Sequence, residues 1–218
     1  MKQYHITTEL TCYPQTLYSN SCLKRAFDVV ISVILLILIS PLLISVALLI
    51  YWDSPGPIFF KQQRVGKKGQ LFTFWKFRSM TVDAEQHKLA LITGNDVPGG
   101  VLFKLKQDPR VTRVGKWLRR FSIDELPQFW NVLKGEMSLV GPRPALPEEV
   151  AQYTLRHYQR LAVTPGITCL WQISGRSDID FSQQVELDLQ YIAIQSFWYD
   201  LLILLKTIPA VLRGRGAY

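Results

Sequence analysis

Polar and apolar positions stop alternating between Asp28 and Asp53: Val29 to Trp52 carries no charge and holds seventeen Leu, Ile or Val residues. At about −0.3 to −0.6 kcal/mol for each, insertion of the run into a bilayer is favoured by roughly 5–10 kcal/mol before Ser and Pro are set against it. A polar stretch precedes it and no small-residue cleavage pattern follows, so it reads as a retained membrane segment and not a signal peptide. Ser40-Pro41 falls near its middle. Pro41 has no N–H for the Ile37 carbonyl and its ring clashes there, which predicts a kink between two half-helices, with Ser40 able to satisfy the freed carbonyl. Each half is about 17 Å long, against a hydrocarbon core of about 30 Å. Lys24 and Arg25 precede the run and Lys61, Arg64, Lys67 and Lys68 follow it. Basic clusters on both flanks favour a re-entrant hairpin that returns to the cytoplasmic face, although a proline-kinked single span also satisfies the pattern.

After this run the periodicity shortens. Pro55-Gly56-Pro57 breaks the helix, and Ile58-Phe59-Phe60 and Leu71 to Trp75 flank Gly66-Lys67-Lys68-Gly69 as two strands around a turn. Helices are expected over Thr81–Ile92, over Val111–Phe121 as a basic amphipathic segment, and from Ser122 to Lys134. The last opens on a Ser-x-x-Glu capping box and closes at Gly135. Further helices are expected from Pro147 to about Leu161 and from Phe181 to Gln195, with a loop over Asn95–Gly100. Phe197 to Leu212 is apolar but interrupted by Asp200, Lys206 and Pro209, which suits a helix lying in the membrane interface with Trp198 and Tyr199 at headgroup depth. The expected fold is α/β and mostly helical: a tail (1–23), a re-entrant helix-break-helix (24–52), and a small cytosolic catalytic domain with interfacial amphipathic helices (53–218).

The chain has 218 residues and a formal net charge of +8, which attracts anions without choosing among nucleic acid, an anionic leaflet and phosphorylated small molecules. Cys12, Cys22 and Cys169 are odd in number and widely spaced, as expected of free thiols in a reducing compartment. His5, His87 and His157 have no metal-ligand spacing. No Walker-type or Gly-x-Gly-x-x-Gly loop occurs, so a nucleotide would have to be held by side chains.

The charge is concentrated. Lys104 to Arg120 holds seven Lys/Arg against Asp108, and the adjacent acids Asp124-Glu125 follow, then Arg143 within Gly141-Pro142-Arg143-Pro144. Acids in a first helical turn commonly only cap and offset the dipole. Carboxylates among arginines also suit phosphate chemistry, where cations bind substrate and a carboxylate acts as nucleophile. A helix N-terminus at Asp124 would depress its pKa and add an anion site, and Glu125 would hold Mg²⁺ with substrate phosphates. Asp178-Ile179-Asp180 resembles a metal- and nucleotide-binding acidic triplet, but it precedes a helix and reads more simply as a cap.

Ordered blocks along Lys24 to Tyr218 resemble the bacterial sugar transferase family, the small monotopic polyprenyl-phosphate phosphoglycosyl transferases. They are Lys24-Arg25-Ala26-Phe27-Asp28, Ser40-Pro41, Trp75-Lys76-Phe77-Arg78-Ser79-Met80, Ser122 to Gln128, Asn131 to Gly135, Ser138 to Pro144, Pro165 to Thr168, Trp171-Gln172 and Gly175-Arg176. The resemblance implies transfer of hexose 1-phosphate, from UDP-glucose or UDP-galactose, to undecaprenyl phosphate in the bacterial inner membrane, with release of UMP. This would be the first membrane step of exopolysaccharide, capsule or O-antigen synthesis. It implies Asp124 as nucleophile, Glu125 as the residue associated with Mg²⁺, and Lys76, Arg78, Arg119, Arg143 and Arg176 as cations for phosphate or nucleotide. It also implies a re-entrant break at Ser40 and Pro41, membrane lipid as a partner and no nucleic acid, and it leaves a homodimer open. Two departures stand out: the larger relatives' N-terminal helical bundle is missing, with whatever it adds to assembly, and Cys169 stands where glycine is common, which puts the local backbone in question. Two other readings stay open, a membrane-tethered nucleic-acid binder using Lys104–Arg120 and a metal-dependent transferase centred on Asp178 and Asp180.

Overall fold

A computed structural model describes residues 17–84, 86, 108–175 and 179–213. Cys12, His5, His87, Lys104, Lys106, the Asn95–Gly100 loop, most of the expected Thr81–Ile92 helix, Arg176 and Asp178 lie outside the described residues.

The apolar run forms one helix, α1 (Cys22–Asp53), whose N-cap Ser21 accepts a hydrogen bond from the Lys24 amide at 3.1 Å. The break expected at Ser40-Pro41 is not an interruption: Pro41 lies inside continuous helix. The reason is local. Ser40 Oγ donates to the Ile37 carbonyl at 2.8 Å, taking the acceptor that Pro41 leaves without a partner.

One stripe of α1 packs on the rest of the protein from end to end. Phe27, Ile31, Leu35 and Ile39 enter the central core with Phe129, Leu139, Val140, Val163, Leu189, Tyr191 and Ile203. Farther along, Leu43, Val46, Ala47 and Ile50 pack with Phe77 and Leu118. The opposite face, including Val30, Ile34, Ile37, Leu38, Ile44 and Leu48, is exposed. Burial of a large apolar side chain is worth about 1.5–3 kcal/mol, so a continuous exposed face this apolar fits association with a membrane. Among the described residues α1 is the one helix long and apolar enough to cross a membrane.

Lys24, in the first turn of α1, is buried where it meets Asp200 at 2.5 Å and donates to the Val140 carbonyl at 3.3 Å. Tyr191 gives its hydroxyl to Asp200 Oδ1 at 2.8 Å, Tyr18 donates to Oδ2 at 3.0 Å, and Asp28 accepts from the Leu139 amide at 3.2 Å. Arg25 donates to the carbonyls of Val132 and Leu133 at 2.6 and 2.8 Å, a cation at the C-terminal end of a short helix.

The hairpin is present, with β1 (Phe59–Val65) antiparallel to β2 (Leu71–Phe77) in the register Phe60↔Lys76 and Arg64↔Phe72. Next comes α2 (Arg113–Arg120), shorter than expected at its start and capped by the Thr112 hydroxyl. Gly115 lets it press on Ser79: a Cβ there would lie 2.0 Å from the Ser79 carbonyl oxygen. The expected helix from Ser122 divides into a 3-10 turn (Ile123–Gln128) and α3 (Phe129–Lys134), which ends as foreseen at Gly135 with φ 82°. Two three-residue strands not foreseen, β3 (Ser138–Val140) and β4 (Gly166–Thr168), pair in parallel. The expected helix over Pro147–Leu161 is broken into α4 (Pro147–Val150), α5 (Leu155–Tyr158) and a 3-10 turn (Gln159–Ala162), because Thr154 accepts from the His157 amide and starts a new helix. α6 (Leu170–Ser174), α7 (Phe181–Ile194) and α8 (Phe197–Arg213) complete the chain. Cys169 is buried in extended backbone at φ −149°, a conformation open to any residue, so the departure from glycine there has no conformational cost.

In α8, Asp200 and Ile203 are buried whereas Trp198, Leu202, Leu205, Ile208 and Leu212 are exposed along one face. That is the amphipathic pattern expected of a helix at a lipid–water boundary.

Candidate active site

Asp124 and Glu125 sit on the 3-10 turn that follows α2, directly after Ser122, whose φ of 54° places a non-glycine residue in the left-handed region. The capping box is therefore not formed: Ser122 makes no side-chain cap bond, and Glu125 turns away from the backbone to Lys76. The turn is also only six residues long, too short to supply the helix-end dipole expected to depress the Asp124 pKa. Left-handed backbone at a serine costs of order 1 kcal/mol and commonly persists where it aims a side chain.

The second wall is β2. Alternation along the strand puts Phe74 and Lys76 on one face, and the Lys76 ammonium lies 2.6 Å from Glu125 Oε1 and 3.6 Å from Asp124 Oδ2. Arg143 approaches Glu125 Oε1 at 3.7 Å and is one-third exposed. Arg119 donates from Nε to Ser79 Oγ at 2.9 Å, so the close seating of Gly115 on Ser79 fixes a guanidinium whose charge is felt at Asp124.

These charges split the two acids. Burial alone would raise Glu125, but Lys76 and then Arg143 outweigh it and hold the carboxyl at about 2. Burial pushes Asp124 up from its ordinary value against the opposing pull of Lys76, and the fixed charge of Glu125 raises it further. The depressed Asp124 pKa expected from the sequence is corrected accordingly. The surroundings thus favour the charged form of Glu125 and disfavour that of Asp124.

The surrounding cations sort differently from their density in sequence. Arg110 is buried and engaged with Asp108 through Nε and Nη2 at 2.9 and 2.6 Å. Arg113, Lys116 and Arg120 face outward. Among the described cations of that run, Arg119 alone turns toward the pair. Arg78 does not join it: its guanidinium donates to the carbonyls of Ser54 and Pro55, where it ties down the end of α1. Asp180 caps α7, accepting from the Gln183 amide at 2.7 Å, so the simpler reading of that acid holds.

Arg64, which the sequence marks only as a membrane flank, lies within electrostatic reach of Arg143 and Glu125. It is buried, donates to Gln62 Oε1 through Nε and Nη2 at 3.1 and 2.7 Å, and donates through Nη1 to the Pro144 carbonyl at 3.0 Å, next to Arg143. Burial, then Arg143, push its guanidinium down to about 10, still a cation at neutral pH. The signal was available in the hairpin alternation, which places residue 64 on the face of Phe74 and Lys76.

The donor set fits Mg²⁺ in one way. Among the described residues no three His, Cys, Asp or Glu side chains gather. Two adjacent carboxylates under basic side chains still suit an ion that is usually bound through one or two carboxylates plus substrate phosphates and water.

Three relatives place the chain. The galactosyl transferase CpsE of Streptococcus agalactiae is 49% identical over 201 residues, 92% of this chain and 44% of that protein. The undecaprenyl-phosphate galactose phosphotransferase of Salmonella typhimurium is 44% identical over 203 residues, 92% of this chain and 42% of that protein. The exopolysaccharide production protein ExoY of Sinorhizobium fredii is 42% identical over 198 residues, 89% of this chain and 88% of that protein. The chain thus spans less than half the length of the first two and most of the third. With the bacterial sugar transferase model matching residues 19–214, the chain belongs to that family.

Proposed function

We propose that the protein transfers hexose 1-phosphate, glucose or galactose, from a UDP-hexose to undecaprenyl phosphate. The observation that carries this reading is the geometry of the pair: a buried Asp124 3.6 Å from the Lys76 ammonium, beside a Glu125 that Lys76 meets at 2.6 Å and Arg143 at 3.7 Å. An Asp124 carboxylate oxygen attacks the sugar-linked phosphorus. The bond from that phosphorus to the bridging oxygen breaks, and UMP leaves with the oxygen and its electron pair. A hexose-phosphoryl group remains on Asp124 as a mixed anhydride. An oxygen of undecaprenyl phosphate then attacks the same phosphorus, and the aspartate leaves as carboxylate.

Lys76, Arg119 and Arg143 offset charge on the diphosphate and on the transferring phosphoryl group, and Arg64 holds the Pro144 carbonyl that sets Arg143. Mg²⁺, held by Glu125 with substrate phosphate oxygens, would supply charge neutralisation for the departing UMP.

The membrane placement follows from α1. Its stripe engages the domain at both ends, through Lys24 and Asp28 and again through Val46 and Ile50, and Pro41 near its middle removes a backbone hydrogen bond where a continuous helix can bend, which together support a helix that enters and returns to the cytoplasmic face of the inner membrane. A span would carry one end across the bilayer, away from these partners. Labelling of Cys12 or Cys22 by a membrane-impermeant thiol reagent in intact cells would overturn this topology.

Mass spectrometry of the enzyme with UDP-hexose and no lipid should find a hexose-phosphate adduct on Asp124, absent in Asp124→Asn. Its absence under single-turnover conditions defeats the covalent step. Release of UDP in place of UMP defeats the reaction itself.

A further inference from the structure

The outward face of α2 has no task in this chemistry, and its composition is one-sided. Arg113, Lys116, Trp117 and Arg120 are its exposed residues, spaced to form one stripe, with no acid among them. Its inward face, Val114 and Leu118, packs on Val46 and Ile50 near the end of α1. The Val114 amide donates to Asp53 Oδ2 at 3.2 Å, which joins the first turn of α2 to the last residue of α1. Tyr51 and Trp52, just before Asp53, are exposed aromatics at the close of a long apolar helix, where side chains of that kind sit at headgroup depth. The first turn of α2 is thus held at the same depth.

We infer that the Arg113–Lys116–Arg120 face of α2 docks on the phosphates of anionic phospholipids in the leaflet that receives α1, with Trp117 entering among them. The inference rests on the membrane placement proposed above and is independent of the transfer chemistry. Each basic side chain near an anionic surface is worth about fivefold in partitioning, so three would enrich anionic lipid around this face, an effect that salt screens. The stripe also gives α2 a reason for its division of labour: Arg119 points inward to Ser79, while its neighbours in sequence serve the bilayer.

The full-length enzyme can be placed in nanodiscs of zwitterionic phosphatidylcholine in which either the phosphatidylcholine or a minority of added phosphatidylglycerol carries brominated chains. The Trp117 signal is the difference between wild type and Trp117→Phe. At equal mole fraction the brominated phosphatidylglycerol should quench it at least about twofold more strongly, and the preference should vanish in about 0.5 M salt and in Arg113→Gln/Lys116→Gln/Arg120→Gln. Arg113→Lys/Arg120→Lys should keep it, which separates charge from a fault in folding. Equal quenching by the two lipids, no quenching by either, or a preference that survives neutralisation overturns the inference. So does a raised KM for undecaprenyl phosphate in purely zwitterionic discs when the three cations are neutralised, since the stripe would then be a substrate site. Asp124→Asn should leave the quenching unchanged, so a failure of the catalytic proposal is read separately.

Discussion

Two lysines of this protein meet carboxylates out of water, and they do so to opposite ends. Lys24 has one acid, Asp200, at 2.5 Å, and every nearby group completes the pair: Tyr18 and Tyr191 fill the carboxylate, and the Val140 carbonyl takes another ammonium proton. Lys76 has two acids and approaches them unequally, lying 2.6 Å from Glu125 and 3.6 Å from Asp124. The first cluster is closed, with side chains 6% and 1% exposed, whereas Lys76 and Glu125 keep 18% and 17% of theirs open. A closed pair fixes α1 against α8 and β3. An unequal triad leaves one acid off the ammonium's short contact, and on the reading proposed above that is the acid that would meet a phosphate, with the charge around it already arranged.

Mutation should separate the two. Asp124→Asn is expected to lower turnover by at least about a thousandfold, the largest effect, while leaving the thermal midpoint unchanged or higher, because a carboxylate whose charge is disfavoured by burial is removed. Asp200→Ala should do the reverse, destabilising the fold by about 3–5 kcal/mol in detergent denaturation, because it strands a buried ammonium. If Asp200→Ala melts like wild type, the closed cluster is not what ties α1 to α8.

Glu125→Gln is expected to reduce turnover by about 10- to 100-fold and to weaken the dependence on added Mg²⁺, as loss of a supporting ligand typically does. Its acid behaviour sharpens the contrast. Glu125 is held below its ordinary value of 4.5, at about 2, so its stabilisation is present above 4.5 and is lost as pH falls through about 2. Between those limits wild type should lose stability faster than Glu125→Gln. A smaller effect is expected far from both clusters: Ser40→Ala removes the partner of the Ile37 carbonyl and should cost about 0.6–1 kcal/mol in a micelle melt, without loss of turnover in bilayers.

Much of this frame could be read before any coordinates. The hairpin announced itself by its glycines and alternation, α7 by its period, and the freed carbonyl at Ile37 by Pro41 alone. The acidic pair stood out by charge. Other features depended on partners distant in sequence. β3 and β4 are three residues each, and parallel pairing of such short segments is fixed by the helices that pack on them. Ser122 matched a capping template in residue type, but packing forced its backbone to positive φ and freed Glu125 for Lys76. Arg64 and Arg78 also depended on distant partners: the strand face turns Arg64 in to the Pro144 carbonyl, whereas Arg78, just past β2, reaches back to the end of α1.

The stripe of α1 that reaches the core from end to end has a consequence for how the protein is made. Phe27, Ile31, Leu35 and Ile39 are core residues and membrane-helix residues at once, so the anchor cannot be cut away to leave a soluble enzyme. A chain starting at residue 54 would open the centre of its own domain to water. On the membrane placement proposed above, folding and insertion would then be one event.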